Sequence, residues 1–419
     1  MKISKYNLIL QKDCRYFVYN QLRQSLLEID YDLSQAIKSC NIDSIPQDCK
    51  EQLFKNGVLC DNKLDETNVV LAQNSLFRFA NSTIRVTILP TLNCNFHCWY
   101  CYEQHYKSSI DKGGVENIVT FCKKLLERTG VKRFQLDWFG GEPLLYFYET
   151  IMPISIAVQD LCLKNNVAFL NTITTNGFLL SSNMIDDMKK INLNGFQITL
   201  DGGKAFHNKV RFTSRKKGSF DTIVTNIVKL CRNISDIKMT VRINYTPSNI
   251  DSICEIGEAF PNDVREHIQF SPQIVWQHKE ESAKYAHVVC EVLEKFVKLG
   301  YKKAVPTLKC SSCYAENMNQ YVVNFDLSVY KCTARDFDQK YSIGKIEEDG
   351  AFVPSSHYYD FFVSSGIEDD ECKRCHLLPS CLGNCIQKVI EGQKICCHKE
   401  EQQEQVLQKV LLYLTQLEV

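Results

Sequence analysis

Between residue 85 and about residue 290 the chain alternates short β-branched runs with longer amphipathic runs, and this pattern narrows the fold more than any other feature. Strands are expected at Arg85–Leu89, Arg133–Trp138, Ala168–Thr174, Gly195–Leu200, Lys238–Asn244 and His267–Ser271. Helices are expected between them at Val115–Thr129, Tyr148–Asn165, Asn183–Ile191, Phe220–Ile234 and Ile250–Phe260. Six strands with intervening helices require parallel pairing and right-handed crossovers. The expected class is α/β, a parallel sheet or partial (β/α)6 TIM-like barrel. Sites in such folds lie at the carboxyl ends of strands. Thr91–Tyr102, Gly140-Gly-Glu-Pro143, Thr175-Asn-Gly177 and Asp201-Gly-Gly203 each follow a strand, so all four should gather on one rim.

The chain has 419 residues, 44% hydrophobic and 23% charged, with zero formal net charge. Nothing in that balance favours nucleic acid or an acidic membrane surface. No run of about 18 apolar residues suggests a membrane span, and Met1-Lys-Ile-Ser-Lys-Tyr lacks an apolar signal core. A cytoplasmic protein with reduced thiols is expected. In that setting 21 cysteines point to metal or catalysis where they cluster. Cys14, Cys40, Cys49, Cys60, Cys122, Cys162, Cys231, Cys254 and Cys290 are isolated and read as small buried hydrophobes.

Cys94-Asn-Phe-His-Cys98-Trp-Tyr-Cys101 is spaced too tightly for disulfides and suits a metal clip. Three thiolates can hold a cubane cluster and leave one iron open; zinc with His97 or His105 as fourth ligand is the competing reading. His105 is otherwise read as a surface residue. The triad, with Tyr100 before its last cysteine, resembles the signature of the radical S-adenosylmethionine enzymes. That resemblance implies S-adenosylmethionine chelated at the open iron and a one-electron cleavage that leads to hydrogen abstraction. Gly140-Gly141-Glu142 resembles the family's glycine–glycine–glutamate motif, which implies that Glu142 accepts from the methionine ammonium. Alternation puts Thr172, Thr174 and Asn176 on one strand face, and the resemblance implies ribose contact, with Thr172 the first candidate. Turn chemistry is the other reading of Asn176 and Gly177. Arg211 matches the region where the family places an arginine near the methionine carboxylate.

Cys372-x2-Cys375-x5-Cys381-x3-Cys385, with Cys396-Cys397 after it and Cys310, Cys313 and Cys332 before it, resembles the SPASM extension of these enzymes. The resemblance implies two auxiliary [4Fe–4S] clusters, three in all. Cys310, Cys313, Cys332 and Cys385 would hold the first. Cys372, Cys375, Cys381 and one of Cys396 or Cys397, with Cys397 favoured, would hold the second. Leu327 stands where the family has a glycine, and the turn is expected from Asn324 to Ser328 instead. The sequence beyond residue 300 reads as strand-poor, apart from a C-terminal amphipathic helix from Glu400.

Ahead of the barrel, strands near Tyr6 and Cys14 and at Ser25-Leu-Leu-Glu-Ile precede helices at Tyr31–Ile37 and Asp48–Phe54. Pro46 suits the start of the second and Gly57 its C-terminal cap. This reads as a winged-helix-like module. Ser4-Lys-Tyr-Asn7, Tyr19-Asn20 and Leu27-Glu-Ile-Asp30 resemble the leader-recognition module of radical peptide maturases. The expected organisation is 1–85 leader module, 86–295 radical barrel and 296–419 SPASM domain.

The resemblance implies a maturase that binds a ribosomally made precursor peptide and closes a cross-link in it, a thioether first and carbon–carbon or carbon–oxygen otherwise. A flavodoxin or ferredoxin would supply electrons. An anaerobic sulfatase-maturing enzyme making formylglycine is the alternative. About 85 residues before the radical loop, and Thr333 where that family has an aspartate base, count against it. A non-enzymatic iron–sulfur or zinc scaffold is the alternative of another class. No residue stands out as a general base.

Overall fold

A computed structural model describes residues 1–213, 217–303, 312–334, 337–393 and 399–418. The chain forms two compact units: Met1–Phe79, Val305–Glu316 and Val363–Val419 in one, Ala80–Ala304 and Asn317–Phe362 in the other. The segment 296–419, expected as one domain, is thus divided between both.

Besides a two-stranded pairing of Lys2–Ile3 with Leu59–Cys60, the first unit contains a three-stranded antiparallel sheet, β1 (Asn7–Lys12), β2 (Arg15–Asn20) and β3 (Ser25–Ile29), in that order. Lys12 faces Arg15, so Asp13 and Cys14 alone make the hairpin turn. Both have positive φ, +50° and +64°, as a type I′ turn requires. Cys14 therefore sits in the turn, exposed, rather than in the strand. Helices α1 (Tyr31–Lys38), α2 (Gln47–Lys55) and α3 (Glu66–Arg78) follow. Pro46 does precede α2, and Gly57, at φ +77°, donates to Phe54 O just past its end. The sequence reading missed α3. Its start is fixed by Asp65, whose carboxylate accepts from Thr67 N and Asn68 N.

Ser4, Asn7 and Asn20 of the leader-module motifs form an internal polar knot. Asn20 is fully buried and donates to Ser4 Oγ, Asn7 Oδ1 and Gly57 O; the Ser4 hydroxyl in turn donates to Glu66. In the same unit the C-terminal helix (Lys399–Glu418) buries Val410 and Leu414 against Leu8, Leu10, Phe17 and Tyr19. Burial of each such aliphatic side chain is worth about 1.5–3 kcal/mol, so this helix closes one face of the small sheet.

The second unit carries the α/β architecture. Its strands β4 (Thr83–Ile88), β5 (Arg133–Trp138), β6 (Ala168–Thr175), β7 (Leu193–Leu200), β8 (Lys238–Tyr245) and β9 (Ile268–Ile274) pair in parallel, each beside the next. Helices α4 (Lys112–Leu126), α5 (Met152–Lys164), α6 (Ser182–Lys190) and α7 (Phe220–Asn233) make the first crossovers. This is the partial TIM-like barrel. Alternation gives the strands unlike faces: Ile84, Val86, Ile88, Phe134, Leu136, Ile198, Val241 and Ile243 are fully buried, while Arg85, Asp137 and Thr172 meet on the opposite face. There Asp137 accepts from Arg85, Thr172 and Gln135.

The sheet does not stop at β4. Strand β10 (Gln320–Val323) pairs parallel to β4, and β11 (Ser328–Tyr330), β12 (Gly344–Ile346) and β13 (Phe352–Pro354) extend it antiparallel to ten strands. The expectation of a strand-poor segment fails here, because three- and four-residue strands carry too little periodicity to be read. Leu327 adopts φ +66°, the conformation a glycine takes freely. Its turn closes by Leu327 N to Asn324 O and Asn324 N to Ser328 O, each 2.9 Å, so Asn324–Ser328 does supply the bend.

Candidate functional site

The cysteine loop leaves β4 at Pro90 and is braced before it reaches its thiols. Thr91, fully buried, donates to Ser108 O at 2.6 Å and accepts from Asn93 N at 2.9 Å. Ser108 Oγ accepts from Leu92 N. Gly140 and Gly141, at the end of β5, press against this brace. Gly141 N donates to Thr91 O, and Glu142 N donates to Asn93 O at 2.8 Å. A Cβ at Gly141 would overlap Asn93 O and lie 2.6 Å from Leu92 O; one at Gly140, where φ is +105°, would lie 2.6 Å from Thr91 O. The glycine pair thus lets two loop backbones touch.

Glu142 is fully buried beneath the loop. Its carboxylate accepts from Leu144 N (3.0 Å), Thr175 Oγ1 (2.6 Å) and Asn176 N (2.8 Å). Burial raises its pKa, and those three donors oppose the rise. Glu142 therefore joins the end of β5 to the end of β6. Asn176 continues the contact by donating to Asn95 Oδ1 of the cysteine loop at 2.7 Å, while its own Oδ1 accepts from Phe178 N.

Beyond the cysteines, β7 and β8 take hold. Tyr100 donates its hydroxyl to Asp201 and accepts from Arg211 Nη1 (2.7 Å) and Asn244 Nδ2 (3.2 Å). Arg211 lies over the Phe96 ring, 5.6 Å to the centroid. Burial pushes the Tyr100 hydroxyl well above its usual range, with Arg211 opposing. His207 supports the far side: its Nδ1 accepts from Asp201 N, so the proton sits on Nε2 and goes to Ser219 Oγ at 2.9 Å. Burial, with Arg211 nearby, holds His207 well below the usual imidazole range, which keeps it neutral.

These contacts surround a cavity of about 140 Å³ lined by all three cysteines, Tyr100, Glu103, His105, Gly140, Gly141, Thr174, Asn176 and Arg211. The thiols feel one another, Cys94 with Cys98 and Cys98 with Cys101. Burial pushes Cys94 up to about 12, and Glu142 adds to the rise, so a metal must displace its proton. Phe96 N already donates to Cys94 Sγ at 3.4 Å. Arg211 Nε and one oxygen of Asp201 are buried without partners. Converging thiols, a backbone donor to sulfur and a buried cation with a free N–H fit a three-thiolate cluster and an anionic ligand beside it.

Of the residues singled out from sequence, the cavity gathers Tyr100, Gly140, Gly141, Thr174, Asn176, Arg211 and the cysteine triad. Glu142 lies just beneath it with its oxygens engaged. Thr172 stands apart, donating to Asp137 further down the barrel, so Thr174 takes the wall position. His105, expected at the surface, instead lines the cavity, with Nδ1 2.9 Å from Leu92 O. His97 is exposed. Among the described residues no three His, Cys, Asp or Glu side chains converge on a single metal ion.

Glu103 was not read from sequence as a site residue. It lines the cavity two residues past Cys101, its Oε1 buried and unpartnered. Burial raises its carboxyl to about 7, with His105 opposing. A carboxylate that close behind the last cysteine was the available signal. Asp201 was noted only as turn sequence, since nothing local reveals its contact with Tyr100.

In the other unit Cys372 lies on the short helix Asp370–Arg374, Cys375 caps that helix's C-terminal end, and Cys381 ends the helix Leu378–Cys381, with the turn closed by Cys375 N to Cys372 O. Cys385 precedes a third, Ile386–Ile390. Cys313 belongs to this unit and Cys332 to the barrel unit. Cys310, Cys396 and Cys397 lie outside the described residues. No described cysteine is in a disulfide, and of the isolated ones Cys60, Cys122, Cys162 and Cys231 are buried while Cys14 and Cys40 are exposed.

Residues 88–259 match the Radical SAM superfamily. The barrel segment thus carries a Radical SAM domain, and the cofactors of that superfamily are S-adenosylmethionine and a [4Fe–4S] cluster. Among characterised relatives, it is similar to the cysteine-type anaerobic sulfatase-maturating enzymes of Clostridium novyi and Clostridium perfringens. The first is 28% identical over 326 residues, covering 70% of this chain and 85% of the relative; the second is 24% identical over 334 residues, with the same coverage. The fold is similar to native anSMEcpe with bound AdoMet (TM-score 0.58, 19% identity, 79% of this chain and 96% of that one). It is also similar to Streptococcus suis SuiB bound to the precursor peptide SuiA (TM-score 0.50, 15% identity, 93% and 97%). No helix among the described residues is long and apolar enough to cross a membrane.

Proposed function

We propose that this enzyme matures a ribosomally made precursor peptide by closing an intramolecular cross-link, a thioether first among the candidates. The observation that carries this reading is the N-terminal module: a three-stranded sheet ending at β3, with three helices, ahead of a radical barrel. Strand β3 pairs only with β2 among the described strands, so its other edge offers backbone groups to an extended peptide. The fold likeness to SuiB, which covers 93% of the chain, supports the same reading.

Cys94, Cys98 and Cys101 would hold a [4Fe–4S] cluster, and Arg211, which lines the cavity and whose Nε is buried without a partner, would meet the carboxylate of S-adenosylmethionine. When bound, the pair supplies one-electron, hydrogen-abstracting chemistry. The chain's own residues do the rest. Thr91, Gly140, Gly141 and Glu142 fix the loop; Tyr100 and Asp201 tie it to β7; Thr174 and Asn176 form the polar wall. Glu103, lacking an internal partner, would accept a hydrogen bond from the peptide. The auxiliary clusters implied by the later cysteines would carry electrons away, and a flavodoxin or ferredoxin would deliver them.

Formylglycine formation in a sulfatase is the second reading, favoured by the 28% and 24% identities to sulfatase-maturating enzymes. Mass spectrometry of a candidate peptide after anaerobic reaction separates the two. A cross-link removes two hydrogens and leaves no carbonyl. Formylglycine from cysteine loses the sulfur and reacts with a hydrazide. Absence of any mass change in peptides encoded beside the gene, with turnover of a sulfatase peptide, would favour the second reading.

A further inference from the structure

Strand β8 carries an arginine that the site described above does not use. Val241 and Ile243 are fully buried, so Arg242 and Asn244 stand on the other face of the strand. Arg242 pairs in register with Thr199 of β7 and Ser271 of β9, and Thr199 lines the cavity of the three cysteines. Arg242 Nε donates to Asn244 Oδ1 at 2.8 Å, and Asn244 Nδ2 donates to the Tyr100 hydroxyl at 3.2 Å. One side chain thus ties this guanidinium to the cysteine loop and fixes its plane. Its two Nη groups donate to nothing among the described residues, and no described carboxylate lies within ion-pair distance of them. Its neighbours on the same face, Gln197, Thr199, Thr240, Gln269 and Ser271, are all uncharged. Asp201 is engaged elsewhere, by the Tyr100 hydroxyl. Arg242 is half-buried; burial lowers its pKa, and Arg211 adds to the fall. A cation drawn out of water without a counter-charge is unfavourable until an anion meets it. The open Nη1–Nη2 fork has the shape that receives a carboxylate in two parallel hydrogen bonds.

We propose that Arg242 receives the carboxylate of an aspartate or glutamate side chain of the peptide substrate, and so selects which residue of that peptide is presented to the cavity. The proposal deepens the maturase reading and rests on the substrate being a peptide. The methionine carboxylate of the cofactor is the other carboxylate at hand, but Arg211 lines the cavity and Arg242 does not. Arg242 lies two residues, about 7 Å of strand, further down the barrel than Asn244. It is a specificity-determining residue: it holds the peptide beside the reacting position and takes no part in bond breaking.

The test compares the iron-loaded holoenzyme with Arg242→Gln. The probe is the peptide encoded beside the gene, with its aspartates and glutamates changed one at a time to the amide. KM for the peptide should rise about tenfold to a hundredfold in Arg242→Gln, as loss of a charge-assisted pair requires, while the Kd of S-adenosylmethionine shifts far less. With the wild-type enzyme one acid-to-amide change should raise KM by a similar factor, and with Arg242→Gln that same change should add nothing. Arg242→Lys keeps the charge without the fork and should fall between the two; it carries the same cycle where Arg242→Gln does not load iron. An unchanged KM, additive effects across the cycle, or a loss confined to S-adenosylmethionine affinity overturns the proposal. Coupling that follows amidation of the peptide's C-terminus, and no side chain, overturns it as well. Turnover of a sulfatase peptide alone would sink the maturase reading by itself, and the same cycle run on that peptide then decides the role of Arg242 separately.

Discussion

Cys94, Cys98 and Cys101 sit on a loop clamped by the ends of neighbouring strands. Thr91 and Ser108 brace it from below, Gly140 and Gly141 from β5, Asn176 from β6, Asp201 and Asn244 from β7 and β8. Cys372, Cys375 and Cys381 have no such frame. Their helices are five and four residues long and are held by side chains from far away in sequence, such as Gln21 bonding His376 across 355 positions. In the first region the sheet imposes the geometry and the thiols inherit it. In the second, separate segments impose it by mutual contact. The barrel site should therefore fail through backbone overlap, and the cysteine-rich site through loss of individual side chains.

The largest effect is expected from Gly141→Ala. Its methyl would overlap the backbone of Asn93, which has no free rotamer to yield, and overpacking of this kind costs about 1–3 kcal/mol or more. Iron analysis should show the barrel cluster lost, about four irons per chain, with the auxiliary signals retained. Tyr100→Phe comes next. It strands Asp201 and Arg211, buried charges that share the hydroxyl, at about 2 kcal/mol; thermal denaturation and S-adenosylmethionine affinity should both fall.

Glu103→Gln should behave differently, since its Oε1 has no partner inside the protein. Stability should change by less than about 0.5 kcal/mol, while kcat/KM for peptide falls about tenfold, the worth of one hydrogen bond. An equal loss in S-adenosylmethionine affinity would place Glu103 on the cofactor instead. The smallest effect concerns His207. Its pKa is depressed in the folded protein, so the unfolded chain binds the extra proton first; stability is full above the unfolded value near 6.5 and declines as pH falls through it. Between pH 7.5 and 5.5 the loss should be about 1 kcal/mol, and His207→Gln should flatten that dependence in anaerobic melting curves.

The same contrast explains what could be read from the chain. The six barrel strands were legible because Ile84, Val86 and Ile88, and their counterparts on each later strand, alternate cleanly with polar residues. The rim motifs were legible because they follow those strands directly. Helix α3 was not, since Val69, Val70, Asn68 and Asn74 blur its periodicity; only the Asp65 cap marks it. Thr172 bonds Asp137 while Thr174 lines the cavity, because alternation gives a face but not a depth. The Tyr100–Asp201 and Gln21–His376 contacts join segments 101 and 355 residues apart, and no local pattern encodes them.

The central claim is that the clamped thiols support radical cleavage of S-adenosylmethionine. Anaerobic protein, reconstituted with iron and sulfide and reduced with dithionite, should convert S-adenosylmethionine to 5′-deoxyadenosine by chromatography and mass spectrometry, and Cys98→Ala should not. Iron-loaded wild-type protein that releases no 5′-deoxyadenosine, or a Cys98→Ala variant that matches it, would contradict the account.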